Sequence, residues 1–183
     1  MLLNIIHLAE RADRWQLLQD EFTVQNITNY RVWEGIVDDS LIRRGISRAH
    51  KNIIRYALEQ GLPSVLIGED DLHFTSPGAY DFYLANKPPV FDIYLAGIVY
   101  GNIDENKFTT DFSGLTLYLI HERFYNKMLA LPEEEHIDRA LSGCGKFVVC
   151  DPMAVTPHNG YSDSSKRYID YAPYLKGKKL YSV

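Results

Sequence analysis

Apolar and polar residues alternate along the chain in stretches that predict a succession of β-strands and α-helices. Short apolar runs of strand length occur at residues 1–8, 30–36, 65–68, 91–97, 113–120 and 146–150. Apolar residues recur at helical spacing from residue 15 onward and at residues 47–60, 76–86, 122–131 and 133–141. In the second of these helices Ser47 is the predicted N-cap, and Gly61 follows the last turn.

This order of elements predicts an α/β fold with a mixed, Rossmann-like sheet and helices on both faces. Residues 98–112 are polar and rich in turn formers, so we expect a surface excursion there, with an antiparallel insertion around residues 98–118. At 183 residues the chain fits one domain, residues 1–183, in which residues 157–183 form a turn-rich C-terminal tail.

The composition and net charge of the chain limit the kinds of function that it can have. Apolar residues make up 46% of the chain and charged residues 23%, which excludes a disordered or low-complexity protein. The net charge of −5 argues against a nucleic-acid partner, because affinity for a polyanion comes largely from Lys and Arg. Cys144 and Cys150 lack paired CxxC spacing, so neither a zinc site nor a disulfide framework is indicated, and we expect reduced thiols in a cytoplasmic protein.

The N-terminal run at residues 1–8 is short, is interrupted by Asn4 and His7, and lacks a basic leader, so it is interpreted as a strand instead of a signal peptide. No run approaches the roughly 20 apolar residues that span a bilayer, and we expect a soluble or at most peripheral protein.

Three consecutive acids, Glu69, Asp70 and Asp71, follow the apolar run at residues 65–68. On an extended backbone Glu69 and Asp71 share one face and Asp70 takes the other. Open α/β sheets bind ligands beyond the carboxyl ends of their strands, and carboxylates are the ligands that magnesium and manganese prefer. The acids therefore predict either a divalent-cation site beside a phosphate-bearing substrate or a solvated turn.

Other polar residues allow two interpretations each. Arg11 and Arg14 lie between the first strand and the first helix, where they are either surface residues or contacts for a pyrophosphate. His50, in the first turn of the predicted helix, is more typical of a packing or capping residue than of a ligand. Residues 157–163 place an imidazole, an amide, a hydroxyl and a carboxylate close together, as a polar loop also does.

Taken together, four features of the sequence resemble the family 25 glycosyltransferases, which include lipopolysaccharide and collagen β-galactosyltransferases. Residues 8–14 are similar to the family's Asn-Leu-x-x-Arg-x-x-Arg start, and residues 49–71 to its Ser-His, helix, strand and Glu-Asp-Asp block. Residues 114–120 resemble its Gly-x-x-x-Tyr-Leu-Ile strand, and Ile137-Asp138 and Ser162-Asp163 its Val-Asp and Ser-Asp-Ile positions. Ala49 and Ser164 depart from that pattern, where Ser and Ile are usual.

The resemblance implies a GT-A fold and an inverting glycosyltransferase that uses Mn²⁺ or Mg²⁺. Its donor would be a UDP-sugar carrying galactose or glucose, and its acceptor a hydroxyl of a glycan or glycoprotein. Inversion needs a general base, for which the motif implies Asp138 with Asp163 as the rival. The implied metal ligands are Asp71 and His158, and the implied donor-binding residues are Leu8, Arg11, Arg14, His50, Glu69 and Asp70.

Two other functions fit the same residues. One is a catalytically silent GT-A module that binds a nucleotide sugar or a partner, and the other is a metal-dependent phosphohydrolase or nucleotidyltransferase that uses the same acids. The basic segment at residues 176–179 lies either in solvent or on an acceptor or an anionic membrane surface.

Overall fold

Seven strands form the central sheet of the protein, whose computed structural model describes residues 1–183. The strands are β1 (Leu3–His7), β2 (Tyr30–Glu34), β3 (Ser64–Glu69), β4 (Leu72–Phe74), β5 (Ile93–Leu95), β6 (Tyr100–Gly101), β7 (Phe108–Thr109), β8 (Phe112–Ser113), β9 (Leu117–His121), β10 (Phe147–Val149), β11 (Val155–Pro157), β12 (Gly160–Ser162) and β13 (Arg167–Ile169). The helices are α1 (Ala12–Val24), α2 (Ile42–Glu59), α3 (Ala79–Ala85), α4 (Glu122–Leu129), α5 (Ile137–Leu141) and α6 (Ala172–Leu175).

The order of the central sheet is β2-β1-β3-β9-β5-β10-β7. Strand β1 runs parallel to β2 and β3, and β5 runs parallel to β10. Strand β9 is antiparallel to both of its neighbours, β3 and β5, and β7 is antiparallel to β10. The predicted α/β fold with a mixed sheet is confirmed. The antiparallel strand β9 lies in the middle of the sheet, between β3 and β5. This position fits its apolar sequence, because β9 is buried along most of its length.

Helices cover both faces of the sheet, as the sequence predicts. Ile53 and Ile54 of α2 pack with Phe124 of α4 in the core on one face. Leu18 of α1 and Tyr83 of α3 pack in the core on the other face. No helix in the protein has the length and apolar composition needed to cross a bilayer.

Helix α2 begins at Ile42 and not near Ser47, so the predicted N-cap is wrong. Ser47 is buried inside the helix, and Asp38 Oδ1 accepts hydrogen bonds from the backbone nitrogens of Ser40 and Leu41 just before it. The extra turn contains Gly45, a residue that usually weakens a helix. It is accommodated because α2 passes close to Ile36, where a Cβ at position 45 would lie 2.0 Å from the Ile36 carbonyl oxygen.

Helix α5 is shorter than predicted, because it begins at Ile137 and leaves the acidic residues 133–135 outside it. Glu133 instead contacts α2, with its Oε2 2.8 Å from Arg48 Nε and its Oε1 3.6 Å from Lys51 Nζ. Within residues 157–183, strands β12 and β13 pair as a hairpin and α6 follows. Lys178 of the basic segment donates a hydrogen bond to the Gly101 carbonyl over 3.1 Å.

Candidate functional site

A cavity of about 590 Å³ opens where β1 and β3 end side by side. Its size is within the range of small-molecule binding sites. Nine of the ten residues that the sequence singles out contribute to its lining: Leu8, Arg11, Arg14, His50, Glu69, Asp70, Asp71, Asp138 and Asp163. The fold therefore brings together residues that are up to 155 positions apart, and His158 is the exception.

Glu69, the last residue of β3, is paired with His50 of α2. His50 is fully buried, with its Nε2 3.1 Å from Glu69 Oε1 and its Nδ1 2.9 Å from the hydroxyl of Tyr118. Burial by itself would raise the pKa of Glu69, but the hydrogen bond and charge of His50, together with Arg14, bring that pKa below its ordinary value. His50 is thus a packing residue that also orients a carboxylate at the cavity.

Asp70 lies just beyond the end of β3 and forms two charge contacts. Its Oδ2 lies 2.8 Å from His7 Nδ1, and its Oδ1 accepts from Arg14 over 2.7 Å. Asp70 is buried, and a buried carboxylate is stable only when its charge is compensated in this way. Its position is consistent with a role in holding Arg14 at the cavity.

Asp71 differs from both neighbours because its carboxylate lacks a close partner. Oδ1 is buried and accepts no hydrogen bond, and the nearest basic group, Arg14, lies 4.0 Å from Oδ2. Burial and the charges of Glu69 and Asp70 raise its pKa to about 7, against the opposing effect of Arg14. An orphaned buried carboxylate oxygen beside a second acid is a fitting environment for a hard divalent cation, so Asp71 and Glu69 fit the implied metal.

Arg11 and Arg14 flank the start of α1 and connect it to the β12–β13 hairpin. Arg14 donates to the Tyr161 carbonyl over 3.0 Å, and Arg11 lies 2.5 Å from Asp163 Oδ2. Arg11 also forms a two-pronged contact with Asp13, with both distances 2.9 Å. Both guanidinium groups line the cavity, and both are already held by acids or carbonyls.

The two candidate bases have different surroundings. Asp138 accepts from the backbone nitrogens of Gly114, over 2.9 Å, and Arg139, over 2.7 Å, and burial raises its pKa despite these hydrogen bonds. Asp163 is 40% exposed and forms an ion pair with Arg11. A carboxylate with a raised pKa is the better proton acceptor near neutral pH, which favours Asp138.

His158 lies outside the cavity lining. Its backbone nitrogen donates to the Asp71 carbonyl over 2.6 Å, but its imidazole lies beside Glu21 and His73. That His158 and Asp71 bind one cation stays a prediction from the sequence.

Sequence reasoning missed two residues that act on the cavity. His7 pairs with Asp70 and stacks near Trp15, with ring centroids 5.1 Å apart. Tyr171 lines the cavity, and burial with the charges of Asp71 and Glu69 raises its pKa to about 12. His7 precedes the Leu8 motif directly, so its place at the end of a strand parallel to β3 was a usable signal. Tyr171 is one of 13 tyrosines and carries no such signal.

The mixed seven-stranded sheet with helices on both faces is a GT-A-like fold, and the cavity lies at the ends of its strands. Among solved structures, the chain is similar to A197 from STIV, with a TM-score of 0.55 and 13% identity over 92% of each chain. It is also similar to a mutant of Drosophila beta-1,4-galactosyltransferase 7 in complex with manganese, UDP-Gal and xylobiose. That likeness has a TM-score of 0.50 and 11% identity, over 100% of this chain and 75% of the other. No protein-family model and no curated protein sequence matches the chain.

Proposed function

We propose that the protein is a metal-dependent inverting glycosyltransferase of the family 25 type, which moves galactose or glucose from a UDP-sugar to a hydroxyl of a glycan or glycoprotein. The observation that carries this proposal is the buried, unpartnered Oδ1 of Asp71 in a cavity that two arginines also line. The manganese and UDP-Gal bound by the Drosophila galactosyltransferase support the choice of metal and donor.

Asp71 is the proposed ligand of Mn²⁺ or Mg²⁺, and Glu69, which lines the same cavity, is proposed to act with it. Such an ion would supply Lewis-acid stabilisation of a departing diphosphate. Arg11 and Arg14 are proposed to contact the donor phosphates, for which guanidinium geometry is suited. Leu8 and Asp70 shape the donor side of the cavity, and His50 acts by orienting Glu69.

Asp138 is the proposed general base. Its carboxylate would accept the proton of the acceptor hydroxyl as that oxygen attacks the anomeric carbon, and its raised pKa suits this task. The backbone nitrogens of Gly114 and Arg139 fix the direction of the carboxylate. Asp163 remains the rival, although its ion pair with Arg11 reduces its capacity to accept a proton.

Thermal unfolding with UDP, with and without Mn²⁺, tests the donor site. A ligand present at about 100 times its Kd stabilises a protein by about 2.7 kcal/mol, which is a measurable rise in Tm. We expect a metal-dependent rise for the wild type and none for Asp71→Ala. Asp20→Ala, on the exposed side of α1, is the matched control. An equal metal-dependent rise in Asp71→Ala would contradict the assignment.

The products distinguish the proposal from its alternatives. Incubation with Mn²⁺, a panel of UDP-sugars and an acceptor array should release UDP and form a glycosylated product. Metal-dependent UDP binding without turnover would indicate a catalytically silent module. Release of inorganic phosphate or pyrophosphate would indicate a phosphohydrolase or nucleotidyltransferase.

A further inference from the structure

Three side chains that could bind a metal meet outside the cavity. Glu21 comes from α1, His73 from β4, and His158 directly follows β11. His73 Nδ1 lies 2.5 Å from Glu21 Oε1, and His158 Nε2 lies 3.3 Å from the same oxygen. All three ligand atoms lie within 4.8 Å of one another, a spacing that a single cation can bridge.

Contacts within the protein leave one of these atoms unsatisfied. His158 Nε2 is buried and forms no hydrogen bond, although Glu21 Oε1 lies 3.3 Å away. Glu21 is held in place from its other side, where Oε2 accepts from the Phe74 backbone nitrogen over 3.1 Å. A buried imidazole nitrogen that lies beside a fixed carboxylate without a hydrogen bond is a costly arrangement unless a ligand completes it.

The arrangement of the two rings also suits a cation. The ring centroids of His73 and His158 lie 4.6 Å apart, and one nitrogen of each ring lies beside Oε1 of Glu21. The carboxylate therefore lies between two imidazoles, and a neutral imidazole offers a lone pair to a metal.

We propose that Glu21, His73 and His158 form a zinc site that is separate from the donor cavity. Two imidazoles and one carboxylate with an open fourth position are a ligand set typical of zinc, whereas magnesium and manganese prefer oxygen ligands. Glu21 and His158 have side chains only 11% and 23% exposed, and His73, at 46%, leaves a route for the ion from solvent. This proposal gives His158 different partners from Asp71, with which the family resemblance groups it.

Zinc at this position would link α1 to the antiparallel pair formed by β4 and β11. His158 contacts the turn that carries Asp71 only through its backbone nitrogen, which donates to the Asp71 carbonyl, so this contact does not depend on the imidazole. Its expected role is structural, and it stands whether or not the donor proposal is correct.

The test is a zinc titration by calorimetry on full-length protein that carries no histidine-containing tag and has been stripped with a chelator. We expect one Zn²⁺ per chain for the wild type and at least a tenfold weaker affinity for His73→Ala and Glu21→Gln. His121→Asn is the matched control, because it removes an imidazole elsewhere and keeps an acceptor for the Arg123 nitrogen. Co²⁺ added in place of Zn²⁺ should give the visible absorption of a four-coordinate site.

Asp71→Ala separates this site from the donor cavity. It should keep the zinc affinity while losing the manganese-dependent effect of UDP, and His73→Ala should show the reverse. Zinc binding that survives His73→Ala and Glu21→Gln, or that disappears in Asp71→Ala, would overturn the proposal, as would the absence of binding by wild type. Circular dichroism in the chelator shows that each variant is folded before titration.

Discussion

The imidazole of His50 lies 3.1 Å from the carboxylate of Glu69, although 19 residues separate them in the chain. This contact joins the buried side of α2 to the end of β3, and it sets the direction of an acid that lines the cavity. Because the other ring nitrogen is bonded to Tyr118, the ring cannot rotate without breaking a second contact. The relationship gives a buried histidine a positioning role next to the acids.

Removing His50 should destabilise the fold. His50→Leu leaves the Glu69 carboxylate and the Tyr118 hydroxyl without their partner, and an unsatisfied buried group costs about 1–3 kcal/mol. Denaturant unfolding measures this loss as a lower midpoint. Tyr118→Phe, which removes one of the two contacts, should cost less. Equal stability of His50→Leu and wild type would show that the contact contributes nothing.

Arg14 should be sensitive even to a change that keeps its charge. It contacts Asp70 through one nitrogen and the Tyr161 carbonyl through another, and an ammonium group cannot reproduce this planar geometry. We expect Arg14→Lys to weaken Mn²⁺-dependent UDP binding about tenfold or more, as measured by calorimetry. Arg55→Lys, on the exposed side of α2, serves as the control. Unchanged affinity in Arg14→Lys would mean that Arg14 contributes to UDP binding only through its positive charge and not through its planar geometry.

Asp71 should make the metal-free protein less stable as pH rises. Its pKa is about 7 in the folded protein against an ordinary value of 3.8, so the folded state binds more protons between these values. The free energy of unfolding should therefore fall across this window by up to about 1.4 kcal/mol per pH unit, and the full cost is present above pH 7.

Asp71→Asn removes this titration. Its gain in stability over wild type should be larger at pH 8 than at pH 5, as measured by denaturant unfolding with a chelator present. Asp20→Asn, at an exposed position, should show no such difference. A gain that is the same at both pH values would mean that Asp71 titrates normally in the folded protein.

Asp138 and Asp163 are distinguished by their substitution with asparagine. Loss of a general base lowers a reaction rate by roughly 10²–10⁴-fold, so Asp138→Asn should reduce kcat by this factor while UDP binding is retained. Asp163→Asn breaks the ion pair with Arg11 and should weaken donor binding more than it lowers kcat. Steady-state kinetics with varied donor concentration measure both effects. The opposite pattern would indicate that Asp163 is the general base and that Asp138 affects donor binding.

Removal of the metal provides a fifth test. Chelation should abolish the effect of UDP on Tm, because the diphosphate would then face Asp71 and Glu69 without a cation between them. Added Mn²⁺ should restore the effect in wild type but not in Asp71→Ala. If Mn²⁺ restored the effect in both proteins, the metal would be bound by residues other than Asp71.

The sequence by itself determined the local elements and most of the site. Hydrophobic periodicity is a local property, so it predicted the strands that end at His7 and Glu69 and the helices between them. The acids follow an apolar strand and the arginines follow the first strand, and parallel strands present their carboxyl ends at one edge of a sheet. In the structure these residues line one cavity.

Only the tertiary structure decided which distant segments become neighbours. The insertion of β9 between β3 and β5, the pairing of His7 with Asp70, and the meeting of His158 with Glu21 and His73 all depend on contacts between segments far apart in the chain. Such contacts follow from how whole faces pack, and the start of α2 at Ile42 likewise depends on its close approach to Ile36. Local spacing carries no information about these partners, and this is why the direction of the His158 imidazole could not be predicted from the sequence.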